Sequence, residues 1–401
     1  MTANDAIVSV RDLEVRFQTS DRRATVKAVD GVNFDVRRGE TFGIIGESGS
    51  GKTTIGRALV FLLKPSAGSI LHDGIDPLAL PRKQFQGHRR DYQIIFQDPN
   101  AALNPRMTIL SSVLEPLELA GEGARAERLK RAHEAMERVG LPPEIGERYP
   151  HQLSGGQKQR VMIAMAMCCN PSVLIADEPA TALDVTVQSR ILRLMEHLRE
   201  EYEMGMIFIS HDLSVVAEIA DRIAVMHDGK IVETGTTEEV FFDPRHPYTR
   251  GLLACRPPLE IKLRKLPVIQ DFLMEDPAGE LSERSPNVND TVKANEVSVQ
   301  ETIARRHQLQ QQQPILQVRH LKMYFPAKKN IFGKALSYIK AVDDVSFEVR
   351  TGETLGLVGE SGCGKTTLGR CMLNLLQPTS GEVIFEGNDL AKLSHKEMRR
   401  V

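Results

Sequence analysis

Two groups of residues in this chain have types and spacings suited to phosphate chemistry. The first is the run GESGSGKTT, in which Gly46, Gly51, Lys52 and Thr53 satisfy G-x-x-x-x-G-K-[ST]. Glycines let a backbone fold around a phosphate with successive N–H groups turned inward, and a helix starting there adds its dipole. Lys52 is placed to reach the terminal phosphates, and the Thr53 hydroxyl to ligate Mg²⁺. The second group is Asp177 and Glu178, which follow the apolar run VLIA. Asp177 at the carboxyl end of a buried strand can hold Mg²⁺, and Glu178 can orient or deprotonate a water. An Asp-Glu pair after a strand is by itself more often a solvated loop; the phosphate loop upstream reverses that reading. His211, after the apolar run MIFIS, is expected at the same sheet edge, where it could bond a γ-phosphate and position the attacking water.

The elements that must position these groups are legible as a pattern. A strand over Thr41–Ile45 leads into the glycine loop, and an apolar-periodic helix over residues 55–63 leaves it, closed by Pro65. The run at residues 173–176 is apolar throughout, as a strand buried on both faces should be. A one-face stripe of Val187, Ile191, Leu194, Met195 and Leu198 predicts a helix, and residues 206–210 the strand that delivers His211. Leu153–Gln157 reads LSGGQ, in which Ser154 is a good N-cap for a helix over residues 158–167. These signals predict an α/β fold.

The chain also repeats itself. FGIIGESGSGKTT at residues 42–54 returns as LGLVGESGCGKTT at residues 355–367, and KAVD at residues 27–30 returns at 340–343, both displaced by 313 positions. LEVRF ending at Phe17 resembles LKMYF ending at Phe325, with a loop five residues longer in the second copy. The second copy stops short of a counterpart to Gln97. Residues 260–313, rich in Pro, charge and amides and ending in four glutamines, show no sustained period and read as a linker with some local helix.

Lys plus Arg number 51 and Asp plus Glu 53, so no global basic field points to nucleic acid. The longest apolar runs, such as residues 161–169, are too short to cross a bilayer, and the N-terminus lacks signal-peptide regions. A soluble, cytoplasmic protein able to dock on a membrane partner is expected. The five cysteines fit neither a disulfide framework nor a CxxC zinc pattern; Cys168 and Cys169 read as packing residues.

Over residues 7–259 the order of these motifs resembles the ATP-binding cassette (ABC) family, and the resemblance carries over residue by residue. Gly46, Ser48, Gly49, Ser50, Gly51, Lys52, Thr53 and Thr54 match the Walker A loop, and Gln97 the Q-loop. Ser154, Gly155, Gly156 and Gln157 match the signature, Asp177 and Glu178 the Walker B acids, Asp184 the D-loop and His211 the switch histidine. Phe17 stands where the family usually stacks a ring on adenine, although edge-strand packing explains a ring there equally well. In the second copy Phe325, Gly359, Ser361, Gly362, Cys363, Gly364, Lys365, Thr366 and Thr367 match, with Cys363 at a variable position.

The resemblance implies a RecA-like parallel sheet core with an antiparallel β subdomain and a helical subdomain in residues 1–259. It implies a linker over 260–313 and the N-terminal part of a second cassette over 314–401. Implied ligands are ATP and Mg²⁺, with Lys52, Gln97, Glu178 and His211 catalytic and Thr53, Gln97, Asp177 and Thr366 on metal. The signature is expected to complete the site of a partner cassette, in the same chain or another. FQDPNAALNPRMTI at residues 96–109, YPHQLSGGQ at 149–157 and HPYTRGLL at 246–253 resemble oligopeptide, dipeptide and nickel importers. Two cassettes in one chain are similar to the fused dipeptide or glutathione-type forms. Ala180 and Lys158 depart mildly from that group, where Thr and Arg are common, and Cys255 stands without the cysteines of an iron–sulfur motif. Expected partners are two membrane-spanning permease subunits and an extracytoplasmic binding protein, with the chain on the cytoplasmic face of the membrane. The alternatives are a soluble tandem cassette acting on ribosomes or nucleic acid, disfavoured by the near-neutral charge and a linker without a long, highly charged helical arm, or an inactive fragment of the importer subunit.

Overall fold

A computed structural model describes residues 6–18, 25–121, 123–181, 183–256, 261–275, 281–284, 293, 295–329, 335–360, 362–393 and 398. Ser361 lies outside them. The chain forms two compact units that divide after Asn295.

In the first unit β1 (Ala6–Gln18) and β2 (Thr25–Arg37) pair antiparallel. Strand β3 (Thr41–Ile45) feeds the glycine loop, and α1 (Lys52–Leu59) leaves it. Helix α1 thus sits earlier than the 55–63 stripe predicts: Gly51, left-handed at φ 104°, caps it, and Phe61, at φ 56°, departs from helical geometry beyond its end. Strand β4 (Ala67–His72) returns to β1, giving the three-stranded antiparallel sheet β2-β1-β4.

The chain then enters α2 (Arg82–Asp91), β5 (Tyr92–Ile95), α3 (Pro99–Ala102), α4 (Ile109–Ala120), α5 (Arg125–Arg138) and α6 (Gly155–Met167). Helices α4, α5 and α6 bury Val113, Leu117, Met136 and Ile163 in one core and form the helical subdomain. The remaining core elements are β6 (Val173–Asp177), α7 (Val185–Tyr202), β7 (Gly205–Ile209), α8 (Leu213–Ile219), β8 (Arg222–His227) and β9 (Lys230–Thr236). They build a six-stranded sheet ordered β5-β6-β7-β3-β8-β9, parallel except for β9. Every residue of β3, β6 and β7 is buried, because both faces are covered. Val173, Ile175, Ile207 and Ile209 face a core shared with α1 and the antiparallel sheet; Leu174, Ala176, Met206 and Phe208 face the core shared with the helices. The alternation holds β6 and β7 in register, Asp177 beside Ile209.

After α9 (Thr237–Phe242) and α10 (Pro247–Ala254), the first unit continues beyond residue 259. Helix α11 (Ile269–Phe272) and the hairpin of β10 (Leu273–Glu275) with β11 (Leu281–Glu283) fold back on α10, with Phe272 and Leu273 buried.

The second unit opens with a helix, Val299–Gln310, started by a capping box in which Ser298 and Glu301 satisfy each other's backbone N–H groups. It buries no residue, which is why no apolar period marks it. Strands Pro314–Lys329, Ala335–Arg350, Ser380–Phe385 and Asn388–Asp389 make a four-stranded antiparallel sheet around Val318, Leu321, Val342 and Val383. Helix Lys365–Met372 follows the second glycine loop. Residues 353–360, the counterpart of β3, form no ladder among the described residues, and Leu355, Leu357 and Val358 are exposed. In the first unit that strand is held between β7 and β8.

Candidate functional site

The glycine loop takes its shape from contacts that only glycine tolerates. A Cβ on Gly46 would stand 2.2 Å from the Met226 carbonyl oxygen, and one on Gly51 2.2 Å from that of Ala28. Gly49 is also left-handed, at φ 86°. Within this cradle Ser48 and Gly49 are exposed, Ser50 is buried, and Thr53 and Thr54 lie in the first turn of α1. Lys52 folds back across the loop: its Nζ donates to the carbonyls of Gly46 (2.8 Å) and Glu47 (2.6 Å) and to Ser50 Oγ (3.3 Å). Burial lowers its pKa, and Glu178, Asp177 and Glu47 oppose that shift. The loop is therefore a glycine-shaped cradle at the start of α1 with one ammonium laid over it, suited to a polyanion.

The acids sit at the carboxyl end of β6. Asp177 is buried, and its Oδ1 accepts from Thr53 Oγ1 at 3.1 Å, joining both motifs. Burial raises its pKa, with the Thr53 hydrogen bond and the charges of Arg57 and Lys52 pulling the other way. Glu178 turns the chain in a left-handed conformation (φ 50°), a strained geometry for a non-glycine residue at a functional edge. Its backbone N–H donates to the Ile209 carbonyl, which fixes the turn. Its carboxylate is held on three sides: Oε2 accepts from Gln97 Nε2 (2.7 Å) and Thr181 Oγ1 (3.0 Å), and Oε1 meets His211 Nδ1 at 2.8 Å. Three segments of the chain, 81 and 33 residues away for Gln97 and His211, thus converge on one carboxylate.

The oxygen donors fit a hard cation. Thr53 Oγ1 and Asp177 Oδ1 are adjacent, and Gln97 has its amide nitrogen committed to Glu178, leaving its carbonyl oxygen. These are the first-unit residues able to hold Mg²⁺. In the second unit Thr366 is exposed and has no acid of the Asp177 kind beside it among the described residues.

Ser154, Gly155, Gly156 and Gln157 lie at the start of α6. Ser154 Oγ accepts from the Gln157 N–H, and Gln157 Oε1 accepts from the Ser154 N–H, a full capping box. Ser154 and Gly155 are exposed, so the remaining N-terminal amides of α6 face outward. Gly156 allows close approach of Val187, whose Cγ1 would lie 2.7 Å from a Cβ there. Asp184 immediately precedes α7. Phe17 lies opposite Val26 on the β1–β2 ladder with 42% of its surface exposed, and Phe325 takes the matching place opposite Ile339.

The second glycine loop reproduces the first. Gly359, Gly362 and Gly364 have φ of 154°, 83° and 100°, against 150°, 86° and 104° for Gly46, Gly49 and Gly51. Lys365 Nζ donates to the carbonyls of Gly359 and Glu360, both at 2.6 Å, and Cys363 Sγ, 3.6 Å away, takes the place of Ser50 Oγ. Thr367 lies in the first turn of its helix.

Three supports escaped the sequence reading. Tyr248, of the HPYT run, is fully buried against the His227 ring, and its hydroxyl accepts from the Glu47 N–H of the glycine loop at 3.3 Å. Thr181 braces Glu178, and Lys158 Nζ donates to Asn100 Oδ1 (2.7 Å), tying the signature helix to the segment after Gln97. The Tyr248 and Lys158 bonds join residues 201 and 58 apart in sequence, whereas Thr181 bonds Glu178 from three residues away, across the turn that Glu178 makes.

Comparison with known proteins gives the chain's family. The ABC transporter family matches residues 29–181 and 342–401, and the oligopeptide/dipeptide transporter C-terminal region matches residues 232–278. The chain is 40% identical over 409 residues to the glutathione import ATP-binding protein GsiA of Escherichia coli (strain K12), covering 97% of this chain and 61% of the relative. The GsiA protein of Shigella boydii serotype 4 is similar to the same extent. The chain thus spans about three fifths of the length of these relatives. Among solved structures, a dimeric bacterial ABC transporter cassette is 33% identical, with a TM-score of 0.53 over 57% of this chain and 98% of that one. The cbiO1 protein of Clostridium perfringens, part of the ABC transporter complex cbiONQ, is 32% identical with a TM-score of 0.53 over 60% of this chain and 92% of that one.

Proposed function

The chain belongs to the ABC transporter family, and from that premise we propose that it is the ATP-binding and ATP-hydrolysing part of an importer for peptides, glutathione-like peptides included. The observation that carries the reading is the Glu178 carboxylate, held by Gln97, Thr181 and His211 beside the Thr53–Asp177 pair. In this reading the amides of residues 46–54, Ser48, Ser50 and Lys52 bind the phosphates, and Phe17 stacks on the adenine. Mg²⁺, when bound through Thr53, Gln97 and Asp177, neutralises charge between the phosphates. Glu178 accepts a proton from a water while the water oxygen bonds to the γ-phosphorus and the bond to the β–γ bridging oxygen breaks. His211 keeps Glu178 oriented and lies at the edge where the γ-phosphate would stand.

The exposed signature at Ser154–Gln157, with Asp184, would complete the nucleotide site of a second cassette, within the chain or from another copy. Residues 359–367 form the matching half-site on the second unit. Coupling then rests on ATP binding the closed pair better than the open one. The partners are two permease subunits, met through the region of residues 97–114, and an extracytoplasmic binding protein selects the cargo. The chain would act peripherally on the cytoplasmic face of the membrane; no described helix is long and apolar enough to cross it. Co-expression with candidate permease pairs followed by purification from membranes tests this. Retention of the chain with a permease in high salt is expected; salt-sensitive association with RNA instead would overturn the importer reading.

A further inference from the structure

Away from the phosphate loop, where β4 and α2 meet the start of β6, three ligand-bearing side chains converge. His72 ends β4 and is buried; His88 and Asp91 lie one turn apart on α2. One potential ligand atom from each lies within 4.8 Å of the others. His72 Nδ1 and His88 Nδ1 are 3.2 Å apart. Tetrahedral coordination with Zn–N near 2.0–2.1 Å places two ligand nitrogens about 3.3 Å apart.

The surrounding hydrogen bonds decide which nitrogen is free. Ser172, just before β6, donates its hydroxyl to the Asp91 carbonyl at 3.3 Å and lies 3.1 Å from His72 Nε2. In that arrangement the serine oxygen accepts from His72 Nε2–H, which leaves the Nδ1 lone pair directed at His88. This is the outer-shell bond that a metal-binding imidazole ordinarily makes. Arg38 is paired with Asp73, the neighbour of His72, at 2.8 Å. The Asp91 carboxylate stands 4.0 Å from His88 Nδ1, too far for a hydrogen bond but placed to share a cation.

We propose that His72, His88 and Asp91 bind a divalent cation of the zinc class, with Ser172 as the outer-shell support and a fourth position open to water. The ion would pin the antiparallel sheet and α2 to the start of β6, the strand whose other end carries Asp177.

The test uses the full chain, stripped with chelator and free of nucleotide, titrated with Zn²⁺ by calorimetry and with Co²⁺ by absorption. His88→Ala is the decisive variant, because α2 buries no residue and tolerates the change. The parent should bind one equivalent more than His88→Ala, and Ser172→Ala should weaken that equivalent about 10- to 100-fold. Its Co²⁺ spectrum should show tetrahedral ligand-field bands without thiolate charge transfer. Zn²⁺ should raise the melting temperature of the parent and leave His88→Ala unmoved. Equal stoichiometry and affinity in parent and His88→Ala would overturn the proposal, reducing the pair to a direct imidazole hydrogen bond. A thiolate band on the extra equivalent would overturn it too, assigning the ion to cysteine.

Discussion

Replacing Tyr248 by Phe removes one atom that the C-terminal extension lends to the glycine loop. The hydroxyl accepts from the Glu47 N–H at 3.3 Å, at the long end of useful hydrogen bonds. A net hydrogen bond contributes about 0.5–1.5 kcal/mol, and Glu47 is exposed enough for its N–H to find water, so about 0.5–1 kcal/mol is the expected loss. If that loss falls on preorganisation of the loop, nucleotide affinity drops about 2- to 5-fold. The melting temperature falls by roughly 1–3 °C. Tyr248→Ala should cost about 3–5 kcal/mol, since it empties a fully buried site. A pH series adds a sign. Burial pushes the phenol up to about 12, above the ordinary value near 10. The folded state therefore favours the neutral phenol: its stabilisation is whole below about pH 10 and is lost as pH rises toward the folded value. The Phe variant lacks that decline. Fluorescent ATP-analogue titration and calorimetric melting read both effects. Unchanged affinity and unchanged melting in Tyr248→Phe would refute the support role; so would a loss beyond about 100-fold in a folded protein, which one hydrogen bond cannot supply.

The other perturbations divide stability from activity. Asp177 has its pKa raised by burial, so its native-state advantage exists below the ordinary carboxylate range and disappears as pH rises through the raised value. Without nucleotide at neutral pH, Asp177→Asn should melt above the parent while losing ATP turnover; scanning calorimetry beside a phosphate-release assay checks both. Gly51→Ala places a Cβ 2.2 Å from the Ala28 carbonyl at φ 104°, and nucleotide titration should show at least a 100-fold loss. Ser154→Ala deletes the α6 cap at a cost of about 1 kcal/mol, visible as a lower melting point.

What was legible in the sequence had local causes. The loop at Gly46–Lys52 needs glycines at fixed offsets, and the fully apolar β6 needs cover on both faces, so both announced themselves. Asp177 and Glu178 were readable because they end that strand. Thr181 was not, because its contact depends on the left-handed turn at Glu178, which no residue type there announces. Tyr248 and the Lys158–Asn100 bond were not, because their partners are set by how distant elements pack. The same holds for His72, whose neighbours come from α2 and the start of β6. Helix Val299–Gln310 escaped a periodicity search because it has no buried face; its Ser298–Glu301 capping box was the only signal. The end of the first unit was hidden likewise: the apolar residues of LPVIQDFLM at residues 266–274 follow no sustained period, and the burial of Phe272 and Leu273 beside α10 shows the fold continuing.

The central claim is that Glu178, in its bracket of Gln97, Thr181 and His211, drives hydrolysis of a nucleotide bound by the glycine loop. The direct measurement is Mg²⁺-dependent ATP binding and phosphate release by Glu178→Gln beside the parent. Binding within about 3-fold of the parent and turnover lowered by about 10²- to 10⁴-fold is the predicted result. Parental turnover in the variant, or no Mg²⁺-dependent nucleotide binding by either protein, would contradict the account.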